Sequence, residues 1–235
     1  MRSCPEMAHT SAADVTYAVE RTNRRTVGIY LERDGSVLVK APQAISNERI
    51  EKVVQSKRNW VYRAQARWAA LNPQPVPKEF VSGETVYFLG QPHRLDFRSD
   101  MQRSVERVGD VFALDRAKRG QAEALLKGFY RQEGLKRIPE MVAQHAKSMG
   151  VSPNQVRIQE LGHRWGSCSE KGTLNFHWKA LAVPVEALHY VVVHELAHLV
   201  HRDHSSKFWW LVEQELPGWQ RHEQWLAEHG AQMTL

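Results

Sequence analysis

Residues 194–198 read His-Glu-Leu-Ala-His, and no other stretch constrains the chain as strongly. An α-helix turns about 100° per residue, so positions four apart return to nearly the same face. The two imidazoles therefore lie one turn apart and can share a metal ion. Glu195 lies about 100° further round, placed to reach a water on that metal without being a ligand. The surroundings predict a helix over about 184–202: Pro184 suits a helix start, Glu186 follows in the first turn, and Val185, Leu188, Val191, Val192, Leu196 and Leu199 form a broad apolar face. Three consecutive valines at 191–193 fit a buried helix.

Catalytic zinc usually takes three protein ligands and keeps one open position. His201 and His204 are the candidates for the third. Seven residues of straight helix separate His201 from His194 by roughly 10 Å of rise, too far for one tetrahedral ion. His204 follows the expected helix end, beside Asp203 and Ser205, where a chain reversal brings it back over the metal. The reading favours His204 and keeps His201 as the alternative.

The run H-E-L-A-H-L-V-H-R-D-H, then Ser205 and Phe208-Trp209, follows an upstream Arg164-Trp165-Gly166-Ser167-Cys168 and Leu174-Asn175. This pattern resembles the YgjP-like zinc metallopeptidases, relatives of the SprT and WLM families, over about 150–216 and more loosely elsewhere. The resemblance implies that His194, His198 and His204 bind Zn2+ and that Glu195 is catalytic. It also implies an α+β fold, a β-rich N-terminal region followed by a zincin-like core with a β-hairpin and an active-site helix. Arg202-Asp203 departs from that pattern, which leads one to expect Asn next to the ligand.

The chain has 235 residues, enough for one or two domains. Two cysteines, Cys4 and Cys168, make no disulfide framework and suit a reducing cytoplasm. No apolar leader is visible in residues 1–11 and no segment reads as a membrane span, so the expected location is cytoplasmic, with no membrane partner. The net charge of +6 permits nucleotide or nucleic-acid binding. Neither an internal repeat nor a low-complexity tract is visible.

Along the chain, strands are expected near 15–21, 26–32 and 36–40, with Asp34-Gly35 as a hairpin turn. Asn47 is the expected cap of a helix over 48–71, followed by a proline-rich loop. Strands near 85–89, 93–97 and a pair over 104–115 turning at Gly109-Asp110 come next. A second long helix spans 119–149, with Gly128 and Pro139 as weak points. Strands over 155–165 and 173–179 form a hairpin around Glu170-Lys171-Gly172, able to pair with a substrate backbone. Two helices, near 205–215 and 218–229, follow the motif helix. A soft boundary near 118 divides a β-rich region, 1–118, from a metallopeptidase core, 119–235.

Other side chains carry weaker signals. Cys168 has no flanking ligand spacing and reads as structural. Tyr190 lies one turn before His194, and His177 and His163 sit on strands; Tyr190 or His177 is the candidate oxyanion donor. Glu213 or Glu215 can orient a histidine ligand. Trp60, Ala64 and Trp68 recur at four-residue spacing as a packing stripe, among Lys57, Arg58, Arg63 and Arg67, a mixture that also suits nucleic acid.

These features lead to a zinc metallopeptidase acting on peptides or proteins, with Glu195 as general base and then acid. A zinc-dependent nucleotide pyrophosphohydrolase and a DNA-associated SprT-like protease are the alternatives. No Walker-type phosphate loop supports the first.

Overall fold

The computed structural model describes residues 10–12, 15–32, 35–71, 78–162, 164–233 and 235. The chain forms two compact units, Met1–Pro73 and Gln74–Leu235.

In the first unit β1 (Thr10–Ala12), β2 (Val15–Thr22), β3 (Gly28–Leu31) and β4 (Val37–Pro42) form a sheet in the order β1-β2-β4-β3. β2 and β4 run parallel, while β1 and β3 pair antiparallel with their neighbours. Alternation along β4 buries Val37, Val39 and Ala41 on one face. Two helices, α1 (Asn47–Ser56) and α2 (Arg58–Leu71), cover that face with Ile50, Val54 and Val61. The expected single helix is thus broken at Lys57. Its cap is Ser46, whose hydroxyl accepts from the Arg49 N–H, in place of Asn47. Asn47 Oδ1 instead accepts from Arg21 Nη2 at 2.6 Å. The restart shifts the helical phase, so Val61 is buried whereas Trp60 is 49% exposed and leaves the expected packing stripe. Trp68 packs against the hairpin turn at Gly35.

The second unit begins with β5 (Thr85–Phe88), β6 (Gln91–Arg98), β7 (Val105–Val108) and β8 (Val111–Asp115), ordered β5-β6-β8-β7. A short 3-10 turn leads into α3 (Ala122–Met149). The helix runs unbroken through Gly128 and Pro139. It buries Leu126, Tyr130, Gly134, Ile138 and Val142, a four-residue stripe. Phe88, Phe112, Phe129 and Tyr130 interlock across sheet and helix, most of them edge to face. This explains why the chain divides at 73/74 and not near 118. The strands before 118 lend Val86, Phe88, Leu95, Phe97, Phe112 and Leu114 to the same core as the later helices.

A third sheet comprises β9 (Gln155–Gln159), β10 (Gly166–Cys168) and β11 (Thr173–His177), with β10 at one edge. The hairpin around Glu170-Lys171-Gly172 joins β10 to β11, whereas β9 lies parallel to β11. The expected 155–165 strand therefore stops at 159, and β10 is the antiparallel partner. α4 (Val185–Ala197), α5 (Ser206–Glu215) and α6 (Gln220–His229) complete the α+β fold. The start of α4 is set by the β5–β6 turn. The Leu89 and Gly90 N–H groups donate to the Leu181 and Ala182 carbonyls, at 2.6 and 3.1 Å. Gly90 has φ +77°, and a Cβ there would lie 2.8 Å from Pro184 Cα, so both conformation and space call for glycine. Among the described residues no helix is long and apolar enough to cross a membrane.

Candidate metal centre

α4 is buried nearly all round, with Leu188, Val192, Val193, Leu196 and Ala197 sealed in the core. It is therefore a rigid base for His194 and Glu195. The helix ends at His198, earlier than the expected 202. The His201 N–H bonds back to the Ala197 carbonyl, and His198 Nδ1 donates to the His201 carbonyl at 3.0 Å. That bond fixes the His198 tautomer with Nε2 free of hydrogen, as a metal ligand requires. Burial pulls the His198 pKa below its usual range, favouring the neutral ring.

The early stop is clamped from outside. Arg202 Nη1 donates to the Ser169 carbonyl at 2.8 Å and lies 3.4 Å from Cys168 Sγ, and Nη2 donates to the Glu170 carbonyl at 3.2 Å. The residue that departed from the family pattern thus ties the turn after α4 to the β10–β11 hairpin. Asp203, its pKa lowered chiefly by the Ser205 hydroxyl, shapes the next turn into α5.

The reversal places His204 beside the two helical histidines. Among the described residues, His194, His198 and His204 form the one cluster able to hold a metal ion, their ligand atoms all within 4.8 Å of one another. His194 Nε2 and His204 Nε2 are 3.1 Å apart. Two nitrogens on a tetrahedral zinc at about 2.0–2.1 Å are separated by roughly 3.3 Å, so the His194–His204 spacing suits zinc, and three imidazole donors suit it in kind. His201 is not in the cluster and contributes its carbonyl.

Glu195 is 6% exposed. It lies against β10, where a Cβ on Gly166 would come within 2.7 Å of its Cγ and Oε1. The glycine of Arg164-Trp165-Gly166-Ser167-Cys168 is thus the space that the carboxylate occupies. Aromatic rings make the opposite wall. Phe208 is 4.6–5.0 Å from all three histidine rings. Trp209 stacks on Trp219 at 4.2 Å, and Trp219 on Tyr190 at 5.9 Å.

Several expected roles fall elsewhere. His177 is 1% exposed, accepts from the Lys179 N–H at Nδ1 and donates from Nε2 to Glu160 at 2.7 Å, so both nitrogens are engaged in structure. Tyr190, by contrast, stays beside the triad, its ring edge-on to His194 at 5.8 Å and stacked on Trp219. Glu215 accepts from His145 at 2.6 Å, and His145 Nε2 lies 2.7 Å from His189 Nδ1, so this carboxylate orients a histidine chain outside the triad. Glu213 binds the Gly218 N–H and Gln220. His163 lies outside the described residues. Burial raises the Cys168 pKa, which disfavours the thiolate. The Gly166 contact and the Arg202 clamp had no readable signal beyond their place in the motif, because both join segments distant in sequence.

The sequence matches the family described as "YgjP-like, metallopeptidase domain" over residues 25–229. The chain belongs to that family. No curated protein matches it. Among solved structures, the metallopeptidase zymogen abylysin of Pyrococcus abyssi is 30% identical, with a TM-score of 0.34, covering 37% of this chain and 86% of its own. Membership makes the chain a metallopeptidase-family protein and a hydrolase by class.

Proposed function

We propose that the chain is a zinc-dependent peptidase in which His194, His198 and His204 hold the ion and Glu195 moves the proton. The observation that carries this reading is the convergence of three imidazoles, two from α4 and its C-cap and one from the turn that follows, beside a buried glutamate. A zinc ion held there would acidify a water and polarise a carbonyl. Glu195, one residue beyond a ligand and pressed against Gly166, takes the proton from the attacking water and delivers it to the leaving amine. Its burial, and the Phe208 and Trp209 rings packed on His194, limit the access of bulk water to the site. β10, at the edge of its sheet and beside Glu195, is placed to pair with an extended peptide. Peptides or proteins are therefore the proposed substrates.

The test presents wild type and Glu195→Gln with one pool of varied peptides and nucleoside triphosphates and reads products by mass spectrometry. Peptides cut by wild type alone support the reading. Nucleotides cut by wild type alone replace it with a pyrophosphohydrolase. Metal content adds a second readout: Glu195→Gln retains zinc and His204→Ala loses it. Full retention in His204→Ala would transfer the third ligand to His201.

A further inference from the structure

Charge is divided unequally between the two units. Residues 1–73 hold twelve Lys and Arg against seven Asp and Glu, a formal +5, whereas residues 74–235 hold twenty against nineteen. Nearly all of the net +6 thus belongs to less than a third of the chain. Arg21 is engaged structurally, donating to the Pro42, Gln43 and Ile45 carbonyls and to Asn47. Other cations lie on the outer face of the sheet.

Since β4 sends Val37, Val39 and Ala41 towards the helices, Leu38 and Lys40 point the other way. The register sets Tyr30 opposite Leu38 and Gly28 opposite Lys40 on that same outer face. Tyr30 is 41% exposed. The Arg24 guanidinium carbon lies 5.6 Å and the Lys40 ammonium 5.9 Å from its ring centroid. Arg24 also donates to the Tyr30 hydroxyl at 3.0 Å. Gly28 makes this arrangement possible. A Cβ there would sit 2.8 Å from Arg24 Nη2 and 2.9 Å from Tyr30 Cε2. The backbone is thus shaped to lay a planar cation beside a planar ring. Glu20 meets Lys40 at 3.2 Å, an exposed pair of small worth that a phosphate can replace. Arg25, next in the chain, is exposed.

We infer that this face binds single-stranded nucleic acid, with a base stacked on the Tyr30–Arg24 pair and flanking phosphates on Lys40 and Arg25. A flat ring beside a guanidinium on an open sheet suits an unstacked base, whose faces a duplex hides. An acidic peptide would use the charges and leave the ring idle. A membrane surface would call for a broad apolar patch, whereas around Leu38 and Ala18 the outer face carries Thr16, Glu20, Thr22 and Lys40. Trp60 is a second exposed aromatic with Lys57 and Arg63 one turn away on either side, but it lies on α2, away from this sheet face, and serves as the internal comparison.

The experiment measures fluorescence anisotropy of a labelled oligothymidine of about twenty nucleotides with the full-length protein. Two phosphate contacts predict a log–log salt slope of about −1.4, so affinity falls by about sevenfold between about 50 and 200 mM salt. Tyr30→Ala weakens binding by about tenfold, while Tyr30→Phe, which keeps the ring, stays near wild type. The double substitution Arg24→Ala/Lys40→Ala flattens the slope by about 0.7 and weakens binding further through the lost guanidinium. Trp60→Ala leaves binding unchanged, and every one of these variants keeps wild-type zinc content and peptide cleavage. The proposal is overturned by an absence of binding at the lower salt, by equal affinity for duplex, or by loss in Trp60→Ala with none in Tyr30→Ala. It is also overturned if phosphatidylserine vesicles retain the protein and the oligonucleotide does not bind.

Discussion

The two four-stranded sheets share one plan and differ in what encloses them. Each has its first and second strands antiparallel, its second and fourth parallel, and its third and fourth antiparallel. The first is closed by α1 and α2 around a core of mainly β-branched and small residues, Val15, Val37, Val39 and Ala41 among them. The second uses Phe88, Phe97 and Phe112, and its core is continuous with that of α3 and α4. Large rings let one sheet reach a long helix and merge with a bigger core, while small side chains need only a thin cover. The same topology thus yields a cationic accessory unit in one place and the footing of a metal centre in the other.

The largest expected effect separates the two units by function. Glu195→Gln lowers peptide turnover by about 10²–10⁴-fold, the usual worth of a placed general base, without altering oligonucleotide affinity. Steady-state kinetics and anisotropy on the same preparation check this; a joint loss would mean that the units are not separable. Next comes packing. Phe112→Ala, at a fully buried ring, destabilises the second unit by about 3–5 kcal/mol and releases zinc at a lower temperature. Val39→Ala in the first unit costs about 1.5–3 kcal/mol and leaves zinc in place, as chemical denaturation with metal readout would reveal. Comparable zinc loss in both variants would erase the contrast drawn between the cores. Gly166→Ala sharpens it further: the added methyl displaces Glu195, so activity falls by at least about tenfold while the melting temperature hardly moves.

The smallest effect is the pH response. Burial holds the pKa values of His177, His189 and His222 below the ordinary histidine value. Below about pH 6.5 the unfolded chain then binds more protons than the folded one, so stability rises with pH across the window under 6.5 and is lost as pH falls through it. All three histidines belong to the second unit. Melting between about pH 7.5 and 5.5 should therefore lower its transition and spare that of the first; a shift confined to the first would contradict this assignment.

Local patterns were legible and long-range pairings were not. The Gly109-Asp110 turn, every strand of the two four-stranded sheets except β1, and the start of the motif helix follow from turn chemistry and periodicity and lie close to where they were expected; β1 falls in residues 1–13, which read as a loose tail. The reversal that brings His204 to His194 was readable because Asp203 and Ser205 flank it. The parallel pairings of β2 with β4 and β6 with β8 left no local mark, so the shared plan of the two sheets was invisible in sequence. The break at Lys57 was missed because apolar residues continue on both sides of it, and the exposure of Trp60 followed from that miss. His177 read as a cleft residue because Glu160, which engages its ring, lies seventeen positions away on another segment.

The turn at Leu89 and Gly90, bonded to Leu181 and Ala182 just ahead of α4, has a consequence for biosynthesis. The β5–β6 hairpin closes through neighbours in sequence and can form soon after it leaves the ribosome. Its partner, and after it the three clustered histidines and Glu195, are translated much later. Loop closure over that span is slow compared with local folding. The histidine cluster therefore gains its footing only after the segment from Leu181 to His204 has emerged to meet the waiting hairpin.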